Sequence, residues 1–138
     1  MDQIKDIMEK NVITIEHDKN ALNAACLISK KNVSFLVIMK NNLPIGVLSE
    51  SDFVRRLAAN DKKSSEVKIS DIMSSKFRWV DPSTKIEDAI QKMLNNNIRR
   101  LIVLEDEKLV GVITQTDLAG FLRNKLLVDG TIKKLEED

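Results

Sequence analysis

Two short stretches, GVLSESDF from Gly46 and GVITQTDL from Gly111, each run a short apolar strand into a hydroxyl-rich turn that ends in an aspartate. Asp52 and Asp117 stand just inside helix starts, where a carboxylate has two kinds of chemistry open to it. It can cap the helix against its dipole. It can also accept charge-assisted hydrogen bonds from paired hydroxyls, at roughly 1.5 to 3 kcal/mol apiece. Ser49 with Ser51, and Thr114 with Thr116, put hydroxyls beside backbone amides at the same helix N-termini, a setting that suits anionic oxygens as well as capping.

Other chemistry finds little support. No nucleophile, base and orienting group occur together at a recognisable spacing, so no catalytic residues are assigned and an enzyme is not expected. The single histidine, His17, is expected in a loop or before a helix, and no metal set is read. Cys26 lies in an Ala-rich helical stretch and reads as a small packed thiol. Met8, Met39, Met73 and Met93 fall at apolar positions and read as core.

The elements that carry the two aspartates repeat along the chain. Shifting the sequence by the 65 positions between Gly46 and Gly111 aligns Ile4, Asp6, Ile7 and Met8 with Ile69, Asp71, Ile72 and Met73. Without a gap, the same shift sets Ala24 on Ala89, Asn32 on Asn97, Leu36 on Leu101, Val47 on Val112 and Asp52 on Asp117. Within each copy the pattern predicts a short strand (Val12 to Ile15; Arg78 to Val80) and a helix (Asn20 to Lys31; Thr84 to Asn96). Thr84 and Glu87 have capping-box spacing. Buried strands FLVIM and LIVLE follow, then polar turns at Asn41-Asn42 and Asp106-Glu107. A further strand (Ile45 to Leu48; Val110 to Ile113) and a helix (Ser51 to Ala59; Thr116 to Val128) close each copy.

The fold class is therefore α/β of the α+β kind, two β-α-β-β-α repeats. Repeat 1 takes residues 1–61, a linker 62–68 within the polar run NDKKSSEVK, repeat 2 residues 69–128, and a charged tail 129–138, expected to be loosely attached. A three-stranded sheet cannot cover both its faces, so the two sheets are expected to pack on each other about a pseudo-twofold, forming one module. Buried Ile, Leu and Val contribute about 1.5 to 3 kcal/mol each before entropy.

The totals agree with one compact protein. The chain has 138 residues, 43% hydrophobic and 31% charged, with one Trp, four Phe and no Tyr, hence an aliphatic core. Its 22 basic and 21 acidic side chains leave a net charge of +1, so nucleic acid is not an expected partner. A lone cysteine suits a reducing cytosol. The opening MDQIKDIMEK lacks a signal peptide's apolar run, and no stretch approaches the ~20 apolar residues of a membrane helix. A cytoplasmic protein without membrane contact is expected.

The chain resembles a tandem pair of CBS domains, the regulatory module named after cystathionine beta-synthase. The resemblance covers residues 4 to about 127. It rests on the openings IKDIM and ISDIM, the segments ALNAACLISKKNVSFLVI and IEDAIQKMLNNNIRRLIV, and the two Gly-apolar-apolar-Ser/Thr-x-Ser/Thr-Asp endings. It implies two clefts related by the pseudo-twofold, each for an adenosine derivative such as AMP, ADP, ATP or S-adenosylmethionine. No cofactor is required. It further implies a homodimer that passes ligand occupancy to a regulated enzyme or transporter.

On that resemblance, Asp52 and Asp117 would each grip a ribose, backed by Ser49, Ser51 and Val47 in one cleft and by Thr114, Thr116 and Val112 in the other. Arg99 and Arg100 align with Ser34 and Phe35, and this position is expected to reach toward the other repeat's aspartate. The arginines would then serve the Asp52 cleft, whose guanidinium forks favour phosphorylated nucleotides. Ser34 and Phe35 would leave the Asp117 cleft to poorly charged ligands, or empty. Thr14 and Ile15, and Trp79 and Val80, are candidates for an adenine slot. They too are expected to cross over, Trp79 toward Asp52 and Thr14 toward Asp117, with Trp79 either stacking on the base or plugging the slot. An assembly module with vestigial, ligand-indifferent clefts is the alternative.

Overall fold

The computed structural model describes residues 2–130; the charged tail expected at 129–138 lies, from residue 131 on, outside the described residues. The order of the main elements is β1 (Thr14–Glu16), α1 (Ala21–Lys31), β2 (Phe35–Lys40), β3 (Leu43–Ser49) and α2 (Glu50–Asp52). Next come α3 (Ile69–Ile72), β4 (Trp79–Val80), α4 (Ile86–Asn96), β5 (Arg100–Glu105), β6 (Lys108–Thr114) and α5 (Gln115–Val128). The strands form two three-stranded sheets, ordered β1-β2-β3 and β4-β5-β6. The fold is α+β and built from two repeated units.

In each sheet the central strand is the continuous apolar run. Leu36, Val37 and Ile38 of β2 are fully buried, as are Leu101 and Val103 of β5, which is why these segments show no alternation. β1 runs parallel to β2, with Thr14 opposite Val37, and β4 runs parallel to β5, with Trp79 opposite Ile102. β3 returns antiparallel to β2, and the register shifts between Ile38 and Met39, opposite Gly46 and Pro44. Pro44 has no amide to give the ladder, and such irregularities are where strands tolerate it.

The two-residue hairpins need positive φ at both turn positions. Asn41 and Asn42 adopt 52° and 63°, and Asp106 and Glu107 adopt 50° and 67°. Asn32 and Asn97, aligned by the repeat, end α1 and α4 in the left-handed conformation, at φ 54° and 51°. Asparagine tolerates that conformation better than other residues with a side chain.

The chain divides into two compact units that do not coincide with the sequence repeats. What we term the Asp52 unit comprises residues 11–77 and 106–109, and the Asp117 unit comprises 2–10, 78–105 and 110–130. Each unit thus takes its opening segment from the other repeat. Ile4 is fully buried among Val80, Ile86, Ala89, Met93, Leu101 and Leu118. Ile69 and Ile72 are fully buried with Ala21, Ala24, Leu36, Ile38 and Leu48.

Main-chain bonds fix this exchange. Ile4 N donates to Thr84 O at 2.9 Å and Lys5 N to Pro82 O at 3.0 Å, while Ile86 N donates to Asp2 O at 3.3 Å. The expected Thr84–Glu87 capping box does not form, because the Thr84 amide donates to Asp81 O at 3.1 Å. α4 has Lys85 at its N-cap with no side-chain bond, and the Thr84 hydroxyl turns back to Asp81 Oδ1 at 3.4 Å. In the Asp52 unit, Ala21 N donates to Val67 O at 2.8 Å and Ile69 N to Lys19 O at 3.4 Å.

The residue after each opening then pairs with an edge strand. Val47 and Ser74 exchange two hydrogen bonds of 2.9 Å, and Val112 and Glu9 do the same. These bridges occupy main-chain groups that an edge strand would otherwise present for pairing. Gly46 and Gly111 are required there, because a Cβ at Gly46 would stand 2.6 Å from Met73 Sδ and 3.0 Å from Ser74 O. At Gly111 it would stand 2.7 Å from Met8 Sδ and 3.0 Å from Glu9 O. Met8 and Met73 thus fill the space beside the glycines, and Met93 is buried in the core. Met39 is half-buried.

Two smaller expectations meet different outcomes. Cys26 is exposed, a correction with a simple geometric cause. Ala24 faces the core, and two residues further along a helix the side chain has turned about 200° away. His17 follows β1 in a turn, its amide donating to Met39 O at 2.9 Å.

Candidate functional site

The Asp52 junction is assembled by the meeting of β2 and β3. Phe35 pairs with Ser49, and Glu50 N donates to Ser34 O at 3.0 Å, so Ser34 and Phe35 sit beside the turn that carries the carboxylate. Ser49 is extended, at φ −110° and ψ 165°, and leads into α2. Its amide donates to Asp52 Oδ2 at 2.8 Å and its hydroxyl to the same oxygen at 3.1 Å; Ser49 Oγ and Ser51 Oγ are 3.0 Å apart. Asp52 therefore does cap its helix, and it does so with one oxygen. The Asp52 side chain is only 15% exposed, and its other oxygen lies 3.8 Å from Arg56 Nε.

The Asp117 junction repeats the plan with different chemistry around it. Thr114 N donates to Asp117 Oδ2 at 3.0 Å and Asp117 N to Thr114 Oγ1 at 3.1 Å, a reciprocal capping box. Gln115 N donates to Arg99 O at 2.8 Å, so the start of the Arg99-Arg100 pair is held at the Asp117 turn. Arg99 is exposed, Arg100 half-buried and Thr116 exposed. Where the first junction has Arg56, the matching residue is Phe121, which packs against the core of its unit.

The remaining candidates divide between the units. Thr14 is exposed and Ile15 is half-buried against the Asp52-unit core. Val80, at 6% exposure, belongs to the Asp117-unit core, and Val112 is also buried. The peptide groups of Val47 and Val112 are already paired with Ser74 and Glu9. Trp79 is half-exposed; Lys92 Nζ lies 5.9 Å from its ring centroid and donates to Trp79 O at 2.7 Å.

Thus the structure brings Thr14, Ile15, Ser34, Phe35, Val47, Ser49, Ser51 and Asp52 into one unit. Trp79, Val80, Arg99, Arg100, Val112, Thr114, Thr116 and Asp117 fall in the other. Arg56 was not singled out from the sequence. The signal that could have found it is the Arg56–Phe121 mismatch at an otherwise well-matched helix start. Among the described residues no group of His, Cys, Asp and Glu could hold a metal ion, and no helix is long and apolar enough to cross a membrane.

Comparison with known proteins decides the family. The family model of the CBS domain matches twice, at residues 4–59 and 69–124. The chain belongs to the CBS domain family. CBS domain proteins are generally regulatory or signalling modules rather than catalysts. The chain is 29% identical over 119 residues to the CBS domain-containing protein YhcV of Bacillus subtilis, covering 86% of this chain and 84% of that protein. Two archaeal relatives are longer: the chain spans 60% of one from Methanopyrus kandleri and 40% of one from Methanocaldococcus jannaschii.

Solved CBS structures share the fold. A putative signal-transduction protein with CBS domains from Burkholderia ambifaria superposes with a TM-score of 0.83 at 21% identity, covering 99% of this chain and 100% of that one. The CBS domain pair of protein MJ0100, in complex with 5-methylthioadenosine and S-adenosyl-L-methionine, gives 0.80 at 24% identity. That match covers 91% of this chain and 98% of the other.

Proposed function

We propose that this CBS pair is a regulatory module that binds adenosine-containing ligands, AMP, ADP, ATP or S-adenosylmethionine, and signals their occupancy to a partner protein. The reading rests on one observation. At each strand-to-helix junction an aspartate is oriented through a single oxygen, by the Ser49 amide in one copy and by the Thr114 amide in the other. A carboxylate fixed in this way retains acceptor capacity for ribose hydroxyls. That the MJ0100 pair takes two adenosine derivatives supports the choice of ligand class. Occupancy shifts a conformational equilibrium only by the ligand's differential affinity for two arrangements, typically ~1 to 3 kcal/mol.

Calorimetric titration with the four ligands tests this. Saturable binding near micromolar, about 8 kcal/mol, is expected. Its absence for every adenosine derivative ends the proposal.

An assembly role is the second reading, favoured by apolar side chains exposed on helices, among them Leu22 at 41% and Val54 at 63% in the Asp52 unit. Leu94 of α4 is 68% exposed, with Leu122 and Leu126 of α5 at 44% and 37%. The matching positions in the other repeat are Ser29, Leu57 and Asp61. Light scattering with a pull-down, giving a complex indifferent to every nucleotide, would select this reading over sensing.

A further inference from the structure

Arg56 closes a ring of interactions at the Asp52 junction. Its Nη1 donates to Met73 O at 2.8 Å and to Ile72 O at 3.3 Å, carbonyls at the C-terminal end of α3 that lack partners within that helix. The Nε of the same rigid fork faces Asp52 Oδ1 at 3.8 Å. That distance is too long for a hydrogen bond, so the attraction is Coulombic and Oδ1 keeps its capacity to accept. Met73 leads into Ser74, which is doubly bonded to Val47. Two residues beyond Val47 stands Ser49, which holds Asp52 Oδ2. The circuit runs Asp52, Arg56, Met73, Ser74, Val47, Ser49 and back.

Arg56 reaches these carbonyls from an unusual helical stretch. After α2 the chain winds as a π-helix over Phe53–Leu57 and as a 3₁₀ turn over Ala58–Asn60, whereas α5 continues as a regular α-helix. π segments recur where a side chain must be placed for function. In the Asp117 unit the Glu9–Val112 bridge is present, but Phe121 stands in the arginine's place and packs into the core.

We propose that Arg56 is a positioning residue for Asp52, holding its second oxygen and tying it to the end of α3, so that a ligand engaging Asp52 is registered at Met73 and Ser74. The proposal rests on reading Asp52 as a ligand-gripping carboxylate. It makes the Asp52 junction a responsive one, through an arginine that the Asp117 junction replaces with Phe121.

Amide exchange at Met73 and Ser74, followed with and without AMP in the wild-type chain, R56A, R56K and D52A, tests it. Without ligand, R56A and D52A should both speed exchange at Met73 and Ser74 and leave Glu9 and Val112 unchanged. AMP should protect Ser74 in the wild type and fail to do so in R56A. Affinity for AMP should fall about two- to fivefold in R56A, the range of an exposed ion pair, and recover in part in R56K, which keeps the charge.

Wild-type affinity and wild-type Ser74 exchange in R56A overturn the proposal. So does unchanged exchange in D52A beside fast exchange in R56A, because the tie would then stop short of the carboxylate. If the wild-type chain binds neither AMP nor S-adenosylmethionine, the ligand reading of Asp52 fails, and the exchange measured without ligand still decides whether the circuit exists.

Discussion

The two junctions share a backbone and differ in what surrounds the carboxylate. In the Asp52 unit the aspartate is flanked by serines, the guanidinium of Arg56 and the Ser34-Phe35 strand start. In the Asp117 unit it is flanked by threonines, Phe121 and a strand start of two arginines. Duplication has preserved the scaffold, namely the glycine, the edge bridge and the cap, while the charges have moved. What is common to the copies is the part that folds, and what differs is the chemistry offered beside each carboxylate.

The sharpest way to break the comparison is to attack its common scaffold. Ile4→Ala and Ile69→Ala remove equivalent, fully buried side chains. Each should cost about 2 to 5 kcal/mol in urea unfolding. A loss below about 1 kcal/mol for Ile4 alone would mean that the opening segments are not used symmetrically.

Ligand binding sharpens the difference between the junctions. Asp52→Ala should weaken phosphorylated ligands by about 1.5 to 3 kcal/mol, and Asp117→Ala by less. The Arg99→Ala, Arg100→Ala double change should also weaken them. A double-mutant cycle decides which aspartate the arginines serve. Coupling to Asp52 is expected. Coupling to Asp117, whose turn is bonded to the Arg99 carbonyl, would reverse the assignment of phosphate to cleft.

Gly46→Ala and Gly111→Ala should each destabilise by about 1 to 3 kcal/mol, because the new methyl meets a carbonyl oxygen at 3.0 Å as well as a methionine sulfur. Near-equal losses in thermal unfolding are expected, and a harmless Gly111→Ala would show that Met8 yields where Met73 does not.

The smallest effect concerns Asp81, which holds the turn on which the N-terminal segment docks. The Ser83 hydroxyl donates to Asp81 Oδ1 at 2.6 Å and the Ser83 amide at 2.9 Å, and the hydroxyl bond leads in holding the carboxyl below its ordinary value of 3.8. A depressed pKa stabilises the folded state above the ordinary value, and that contribution is lost as pH falls through the lower folded value. Asp81→Asn should therefore lower the urea midpoint slightly at pH 7, with the difference from wild type shrinking below pH 3.8. A gap that is unchanged in acid would assign the loss to geometry rather than charge.

Much of the fold was legible because its signals are local. FLVIM and LIVLE have no polar face, Asn-Asn and Asp-Glu stand where two positive φ angles are needed, and Asn32 and Asn97 end their helices. Gly46 and Gly111 carried a signal whose meaning was not local, since the methionine that each accommodates lies far away in sequence.

The exchange of opening segments was hidden for a physical reason. Ile4 and Ile69 meet equivalent surroundings in either unit, so the apolar pattern is the same whichever repeat an opening joins. The Thr84–Glu87 box did not form because Asp81 takes both the Thr84 amide and its hydroxyl, and the helix starts one residue later, with Lys85 at its N-cap. The capping role of both aspartates was legible, and Arg56 was not, because a contact to the carbonyls of residues 72 and 73 leaves no trace in helical spacing.

The traded openings also bear on how such a chain could have arisen. A lone ancestor of a single repeat, folding as these units do, would have had to lend its first residues to a second molecule and borrow that molecule's in return. Within a single polypeptide the same loan needs no second molecule. Severing the run between residues 61 and 69 would leave each half without the opening that completes its core until it finds the other.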